Sequence, residues 1–378
     1  MSSLHTETVT TARQRREFVA FPKRLYEGNR QWVPAFDADM RKILTRKHPY
    51  FEHSPGEFFL IRSGTRTVAR AAALANDRYN REHGVRSVHF YFLDFEQDRS
   101  ASQAAFAAVA DWARPRGLDV MIGPLFSGAT FGGGVLIDGF EHRAAMTMMA
   151  YNYNYYGDHY ERHGFSRRFD LLSLYGNPQN FSLPGRIESI AQMVRSRGRL
   201  VCEQVGTMRE LRRIADDVAA LYNPTLADHP ENYPLTEREL SALKKDLLVI
   251  AQPELEKIIR YDGDVVGFLF TFPDLSAAMQ RNRGKTGPAQ ILRLLRETRK
   301  TRKVIFNGMG ILENYQRLGG NALLYSELVR SLSGGGSFSF DEGEMCQINE
   351  GTDLMLKDME TLGARPFKRH RVYEKTIR

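Results

Sequence analysis

The residues with the clearest potential for chemistry form a glycine-containing segment near the C-terminus. In order, they are Gln316, Arg317, Leu318, Gly319, Gly320, Asn321 and Ala322. They follow a β-rich run at 303–311 and open a helical pattern that continues to residue 331. The first N–H groups of a helix have no intrahelical acceptor, and the helix dipole makes this end positive. The segment therefore predicts an anion site, such as the pyrophosphate site of a phosphorylated cofactor.

Other residues could transfer protons. Asn80 and His83 have a spacing that places them on one helix face, and Glu96 closes a β-rich run at 87–96. A histidine and a carboxylate on converging elements would suit proton removal, although a hydrogen-bonded cluster that only fixes the fold is the alternative. In the second half, Glu344 opens the strand-like run 344–349 and is a candidate base.

A tyrosine- and asparagine-rich run, YNYNYY, occupies residues 151–156. Asn152, Tyr155 and Tyr156 are candidates to line a substrate pocket, together with Asn80. Tyrosines at this density also pack between domains, so both interpretations stay open.

The chain repeats itself. Residues 56–77 align without a gap with residues 253–274, and each segment is typical of a β-hairpin. A second correspondence, YERHGF at 160–165 and METLGA at 359–364, lies at nearly the same offset. We therefore predict two copies of one α/β unit. The predicted boundaries are an N-terminal domain at 1–176, a turn-rich linker at 177–198 and a C-terminal domain at 199–378.

The second copy carries a basic insertion at 279–303. Within it, residues 289–303 (AQILRLLRETRKTRK) combine four aliphatic side chains with six arginines and lysines. A basic amphipathic helix can contact an anionic membrane surface. It can also cover an apolar groove, or simply dock through its leucines with its charges in water.

Composition excludes several classes. The 378 residues are 42% hydrophobic and 26% charged, with a net charge of +8, which is typical of a globular chain. No apolar run could span a membrane, and no N-terminal secretory signal is recognisable, so a cytoplasmic location is expected. No nucleic-acid-binding signature is present. Cys202 and Cys346 are far apart, and His159 and His163 lack a third ligand, so no metal is predicted.

The strand, turn and helix around Gln316 resemble the GNAT superfamily of acyl-CoA N-acyltransferases. Its signature, Arg/Gln-x-x-Gly-x-Gly/Ala, is met at Gln316 and Gly319, whereas Asn321 departs from the usual small residue. Nearly the whole chain is similar to a bacterial group with two fused GNAT units. That similarity includes FEH at 51–53, NDRYNREHG at 76–84, MMAYNYNYY at 148–156 and VYEK at 372–375. The chain also resembles, in its general organisation, the GNAT-like acyltransferases that build ceramide in some bacteria.

This resemblance implies an α/β fold of two fused GNAT-like units, each a mixed, mostly antiparallel sheet flanked by helices. It implies acyl-CoA as co-substrate, held by residues 316–322, with Met309 and Gly310 offering an N–H group to the thioester oxygen. Tyr373 becomes a candidate acid for the departing thiolate, and His83, Glu96 or Glu344 a candidate base for the amine.

The implied activity is transfer of an acyl group, expected to be fatty, from CoA to an amine. A lipid or sphingoid-type amine is favoured over a small polar one, and peripheral contact with the inner membrane through 289–303 would fit such an acceptor. The alternatives are a non-catalytic module that binds acyl-CoA or another ligand, and a small-molecule N-acetyltransferase.

Overall fold

The computed structural model describes residues 3–126, 131–177, 183–227, 231–333 and 340–377. The strands are β1 (Leu4–Thr8), β2 (Gly56–Ser63), β3 (Arg66–Leu74), β4 (Ser87–Phe95), β5 (Val120–Gly123), β6 (Val135–Asp138), β7 (Ser166–Gly176), β8 (Leu200–Glu203), β9 (Lys257–Tyr261), β10 (Asp264–Pro273), β11 (Lys303–Ile311), β12 (Glu342–Asn349) and β13 (Arg365–Thr376). The α-helices are α1 (Ala12–Leu25), α2 (Asp37–Leu44), α3 (Asp77–His83), α4 (Arg99–Ala113), α5 (Tyr155–Arg162), α6 (Gly185–Arg197), α7 (Met208–Ala220), α8 (Tyr222–Thr225), α9 (Glu237–Ile250), α10 (Ser276–Asn282), α11 (Pro288–Lys300), α12 (Gly320–Ser333) and α13 (Asp353–Thr361).

All these strands join one sheet in the order β1-β2-β3-β4-β5-β13-β7-β12-β11-β10-β9-β8, and β6 adds to β13. Only the pairs β4–β5 and β11–β12 are parallel. The two ends of this order mirror each other. From its outer edge inwards, each half contributes an edge strand, a hairpin and two parallel strands. The expected mixed, mostly antiparallel sheet with flanking helices is confirmed.

The final strand of each half crosses into the other half. β13 lies between β5 and β7, and β7 lies between β13 and β12. β7 and β13 pair from Arg365 opposite Tyr175 to Glu374 opposite Ser166. The exchange joins two sheets that would otherwise each present an open edge at this point.

The predicted linker at 177–198 includes residues 178–182, which lie outside the described residues. It also contains α6, which packs along α12 of the second half. The division into domains at 176 and 199 stays a prediction.

Helices cover both faces of the sheet. Leu211 and Val218 of α7 and Leu243 of α9 share a core with Phe268 and Phe272 of β10, and we call this side the α7–α9 face. The opposite side, the α12–α13 face, carries two separate cores. One contains α4 and α5 of the first half, and the other contains α12 and α13 of the second half. Among the described helices, none has the length and apolarity needed to cross a bilayer.

Candidate functional site

The predicted anion-binding turn connects β11 to α12. Arg317 and Gly319 both have left-handed backbone angles, with φ of 64° and 87°. A Cβ atom on Gly319 would lie only 2.6 Å from Cγ2 of Val194 and 3.1 Å from Cγ2 of Ile190, both on α6. Glycine is therefore required at residue 319 by the backbone angle and by the close approach of α6.

The helix start supplies backbone donors. The N–H of Leu323 donates to the carbonyl of Gly319 at 3.1 Å, which is the first α-helical bond of α12. The N–H groups of residues 320–322 precede this bond and have no acceptor within the helix. Gln316 Nε2 donates to the carbonyl of Ile311 at 3.2 Å and ties the turn to the end of β11. The turn thus has the geometry of an anion site.

Beside this turn, the sheet opens between two strands. β11 and β12 pair in parallel up to Phe306 and Met345 and then separate. Where they separate, the pairing register of β11 with β10 shifts, and so does the pairing register of β12 with β7. Gly308 and Gln347 have positive φ angles of 115° and 58° there. A bulge interrupts the ladder of hydrogen bonds between neighbouring strands, so the break between β11 and β12 is built into both strands.

The opening leads into a cavity of about 80 Å³ on the α12–α13 face. Its lining is apolar except for the tyrosine hydroxyl and the thiol, and consists of Leu269, Phe306, Gly308, Met309, Tyr325, Leu328, Val329, Leu332, Met345, Cys346, Ile348, Met355, Met359 and Leu362. The predicted ligand-binding residue Met309 lies in this cavity. Gly310 does not, because its Cα faces α8, where a Cβ would lie 2.5 Å from Oγ1 of Thr225.

Asn321, the departure from the GNAT signature, connects the two helices beside the cavity. Its side chain hydrogen-bonds to Asp358 of α13, and the hydroxyl of Tyr325 lies 3.5 Å from Asp358 Oδ2. Burial raises the pKa of Asp358, although these two hydrogen bonds lower it in part. Asn321 therefore connects α12 to α13, whereas the small residue of the GNAT signature would leave space at the turn.

The corresponding strands of the first half, β4 and β5, also separate, after His89 and Ile122, and β4 is irregular opposite β3 where Phe92 has a φ of 45°. The helix start beside them differs from that of α12. The turn from β4 to α4 contains no glycine, and Asp98 caps α4 by accepting a bond of 2.7 Å from the N–H of Ser100. A carboxylate at this helix start repels an anion. Between α4 and α5, aromatic rings with centroids 4.7 to 6.3 Å apart fill the space, and they belong to Phe90, Phe106, Tyr160 and Phe165.

At this break the first half holds a cavity of about 130 Å³, near α1 and the end of β4. Arg70 and Asp94 line it, and Arg70 Nε lies 2.7 Å from Asp94 Oδ2. Tyr26, which is not part of the lining, donates to Asp94 Oδ1 at 3.1 Å. The hydroxyls of Tyr26 and Tyr156 are 3.0 Å apart. Burial raises the pKa of both tyrosines well above the usual value, so both stay protonated. Two predicted substrate-binding residues, Asn152 and Tyr156, line this cavity.

Glu344 does not have the environment of a base. Its fully buried carboxylate lies 2.6 Å from the Nζ of Lys303 and 2.5 Å from the Nζ of Lys368. Burial alone would raise the pKa of Glu344, but the charges of Lys368 and Lys303 outweigh it and lower the pKa to about 2. Since the carboxylate holds its negative charge so strongly, we withdraw the role of proton acceptor for it.

Tyr373 lies in the core of the first half. Its ring stacks on Tyr160 with centroids 4.9 Å apart, and burial raises its pKa to about 12. Strand exchange places it there, since β13 pairs with β5 of the first half. The turn at Gln316 belongs to the second half, so we withdraw Tyr373 as acid for a thiolate bound beside α12.

His83 and Glu96 do not converge. His83 Nε2 hydrogen-bonds to the carbonyl of Asn232 at 2.7 Å, whereas Glu96 pairs with Arg66 at 2.6 Å near the surface. Asn80 bridges α3 to β4 through Ser87. These contacts favour the alternative in which the residues fix the fold.

The amide of Asn152 is likewise used within the protein, because it bonds to both backbone groups of Leu136. The hydroxyl of Tyr155 donates to the carbonyl of Phe95 at 2.7 Å. The polar groups of Asn152 and Tyr155 are therefore used in internal hydrogen bonds and do not point to a role in binding a substrate. Arg70 and Asp94, which line the cavity, and Tyr26, which donates to Asp94, were not among the predicted site residues. Asp94 lies two residues before the candidate Glu96, so the two side chains point to the same face of an extended chain. This alternation is the sequence signal that could have identified Asp94.

Comparisons with known proteins agree with this architecture. No protein-family profile matches the chain. The chain is 25% identical to the protein YghO of Escherichia coli over 367 residues, covering 95% of this chain and 92% of YghO. It is 26% identical to the bacterial ceramide synthase of Caulobacter vibrioides over 377 residues, covering 98% and 96% of the two chains.

Solved structures define the class of fold. A tandem GNAT protein from the clavulanic acid biosynthesis pathway superposes with a TM-score of 0.57 at 12% identity, covering 100% of this chain and 99% of that chain. A GCN5-related N-acetyltransferase from Anabaena variabilis gives 0.53 at 8% identity, covering 100% and 73%. The fold is therefore that of the tandem GNAT proteins, as the sequence predicted. Among the described residues, no group of three or more His, Cys, Asp or Glu side chains could hold a metal ion.

Proposed function

We propose that this protein is an acyltransferase that transfers an acyl group from acyl-CoA to an amine. The observation that carries the proposal is the connection of two features in the second half. α12 begins at the donor-rich turn and, from Tyr325 onwards, lines the apolar cavity where β11 and β12 separate. The tandem GNAT fold and the distant bacterial ceramide synthase support the same reaction class.

In this proposal the N–H groups of residues 320–322 bind the pyrophosphate of acyl-CoA, and the pantetheine arm enters the cavity beside Met309. The bulge around Gly308 brings backbone of β11 to the thioester oxygen, where negative charge develops as the amine attacks. The carbon–nitrogen bond forms, the carbon–sulfur bond breaks, and the CoA thiolate leaves with a proton. An alkylamine has a pKa of about 10, so it must lose a proton before attack.

The binding step can be tested at Leu318, whose side chain is exposed within the turn. Leu318→Glu adds a negative charge next to the proposed pyrophosphate site, and Leu318→Gln is a control of the same shape. We expect calorimetry to show at least roughly tenfold weaker acyl-CoA binding for the Glu variant at low salt, and little change for Gln. Absence of saturable binding to acetyl-, octanoyl- and palmitoyl-CoA by the native chain would refute the proposal.

We further propose that the acceptor is a lipid or sphingoid-type amine and the acyl group a fatty one. The support is the distant relationship to the bacterial ceramide synthase and the apolar character of the cavity beside α12. Mass spectrometry of incubations with alkylamines and acyl-CoAs would detect the amide. Binding without any amide product would favour the alternative of a non-catalytic module. A strict preference for acetyl-CoA and small amines would favour the N-acetyltransferase alternative.

Peripheral membrane contact through α11 is part of this proposal. Ile291, Leu292 and Leu295 are 48%, 48% and 60% exposed, an unusual exposure for large aliphatic side chains. Arg296, Arg299 and Lys300 are exposed on the same helix. We expect flotation with vesicles containing phosphatidylglycerol and none with phosphatidylcholine alone. A variant with Ile291→Ser and Leu295→Ser should lose flotation while keeping its melting temperature, and unchanged flotation would refute the membrane role of α11.

A further inference from the structure

A third cavity, of about 60 Å³, lies between α7, α9 and the sheet on the α7–α9 face. Aliphatic and aromatic side chains form nearly all of its wall, and it is lined by Leu211, Ala215, Val218, Ala219, Tyr222, Leu240, Leu243, Lys244, Leu247, Leu248, Ala251, Glu256, Ile258, Phe270 and Phe272. Leu240, Leu247 and Leu248 of α9 are only half-buried. The cavity thus has the chemical character of a site for a hydrocarbon chain.

One carboxyl group interrupts this apolar wall. Glu256 is 2% exposed, and its Oε2 accepts a bond of 3.3 Å from the N–H of Thr271. Its second oxygen, Oε1, has no partner in normal hydrogen-bond geometry among the described residues, although the backbone of Gln252 lies near enough to lower the pKa of the carboxyl in part. Burial raises the pKa of Glu256 to about 8. A buried polar atom without a partner is costly, so Glu256 Oε1 is a group that a polar ligand would satisfy.

One wall residue of the cavity lies beside the bulge of β11. Phe270 lines the cavity, and a Cβ on Gly308 in the β11 bulge would lie 3.3 Å from Cδ2 of Phe270. Glu256 immediately precedes β9, two strands from β11, which corresponds to about 10 Å at the usual strand spacing. A ligand in this cavity would therefore approach the break in β11 opposite the CoA side.

We propose that this cavity binds the hydrocarbon chain of a long-chain primary amine and that the carboxylate of Glu256 pairs with its ammonium group. The inference rests on the proposed function and names the acceptor class and its binding site. A buried carboxylate attracts a cation and repels an anionic head group. The leucines of α7 and α9 supply the surface that a single alkyl chain would cover.

The charged neighbours define the pH dependence. Lys257 follows Glu256 in the chain but donates to the carbonyl of Glu254, Lys244 of α9 pairs with Asp216, and Tyr222 of α8 stays protonated because burial raises its pKa to about 12. The carboxyl of Glu256 is mainly protonated at neutral pH in the empty cavity. Binding of an ammonium ion therefore releases one proton, and the affinity rises as the pH increases through about 8.

The test uses the full chain without CoA and compares dodecylamine with dodecanol by calorimetry. We expect the amine to bind at least roughly tenfold more tightly, with an affinity that rises from about pH 6 to about pH 9 and a released proton visible in buffers of different ionisation heat. Glu256→Gln should abolish the amine preference and the pH dependence. Glu254→Gln, at an exposed site two residues away, is the control.

A second pair of variants tests the cavity itself. Ala215→Leu fills it, whereas Ala220→Leu adds the same group to an exposed position of α7. Loss of dodecylamine binding only in the first variant supports the proposal. Equal binding of amine and alcohol, or native binding by Glu256→Gln and Ala215→Leu, overturns it. Acyl-CoA binding is measured separately on each protein, so failure of the amine site is distinguishable from failure of the proposed function.

Discussion

The buried carboxylate of Glu344 provides a quantitative test of how the second half is held together. Lys303 joins it from β11 and Lys368 from β13, so the three charges connect β12 with its neighbour β11 and, past the intervening β7, with β13. Lys368 is almost completely buried, and its Nζ also donates to the carbonyl of Arg143 at 3.0 Å. Replacing Glu344 with Gln keeps the side-chain shape but leaves two buried ammonium groups without their counter-charge.

The expected loss follows from the pKa. The pKa of Glu344 falls from 4.5 to about 2 on folding. At about 1.36 kcal/mol per unit, this shift corresponds to about 3 kcal/mol of stability at neutral pH. Because the folded pKa is depressed, this stabilisation is present above about pH 4.5 and is lost as the pH falls towards about 2. Breaking a buried ion pair on one side typically costs about 3 to 5 kcal/mol, in agreement.

Urea unfolding followed by circular dichroism at several pH values measures this loss. Glu344→Gln should lose about 3 kcal/mol at neutral pH, and the difference from the native chain should shrink as the pH falls below about 4.5. Glu342→Gln, at an exposed position of the same strand, is the matched control. A Glu344→Gln protein that unfolds within about 1 kcal/mol of the native chain would refute the reasoning.

Three further predictions follow from local geometry. Gly319→Ala should destabilise the turn by about 1 to 2 kcal/mol and weaken acyl-CoA binding, measured by melting and calorimetry, because φ is 87° there. Burial raises the pKa of Cys202 to about 11 and that of Cys346 well above its usual value, so both thiols should react with a disulfide reagent at pH 8 far more slowly than in the urea-unfolded chain. Asp94→Asn leaves the buried Arg70 without its counter-charge and should lower the melting temperature, whereas an unchanged melting temperature would argue against this pair as a structural element.

Local signals in the sequence predicted most of the secondary structure. The hairpins predicted at 56–77 and 253–274 correspond to β2–β3 and β9–β10. The glycine turn does precede α12. These features depend on residues within a few positions of each other, so a single sequence contains the information.

The candidate site was less predictable because it depends on distant partners. Glu344 looked like a surface carboxylate until β11 and β13 brought a lysine to each side of it. Tyr373 looked like part of the second half until strand exchange moved it into the first. Glu256 had no signal at all, since its neighbours in the sequence do not reveal that α7 and α9 enclose it.

The sequence by itself determined the repeated α/β unit and the glycine-containing turn before α12, because short-range hydrogen bonding and periodic burial specify both. Only the tertiary structure decided that apolar side chains line the cavity at the break between β11 and β12, whereas Arg70 and Asp94 line a cavity at the corresponding break in the first half. It also decided which carboxylates are paired and which, like Glu256, have an oxygen without a partner. The physical reason is that burial and charge pairing are set by the packing of elements far apart in the chain.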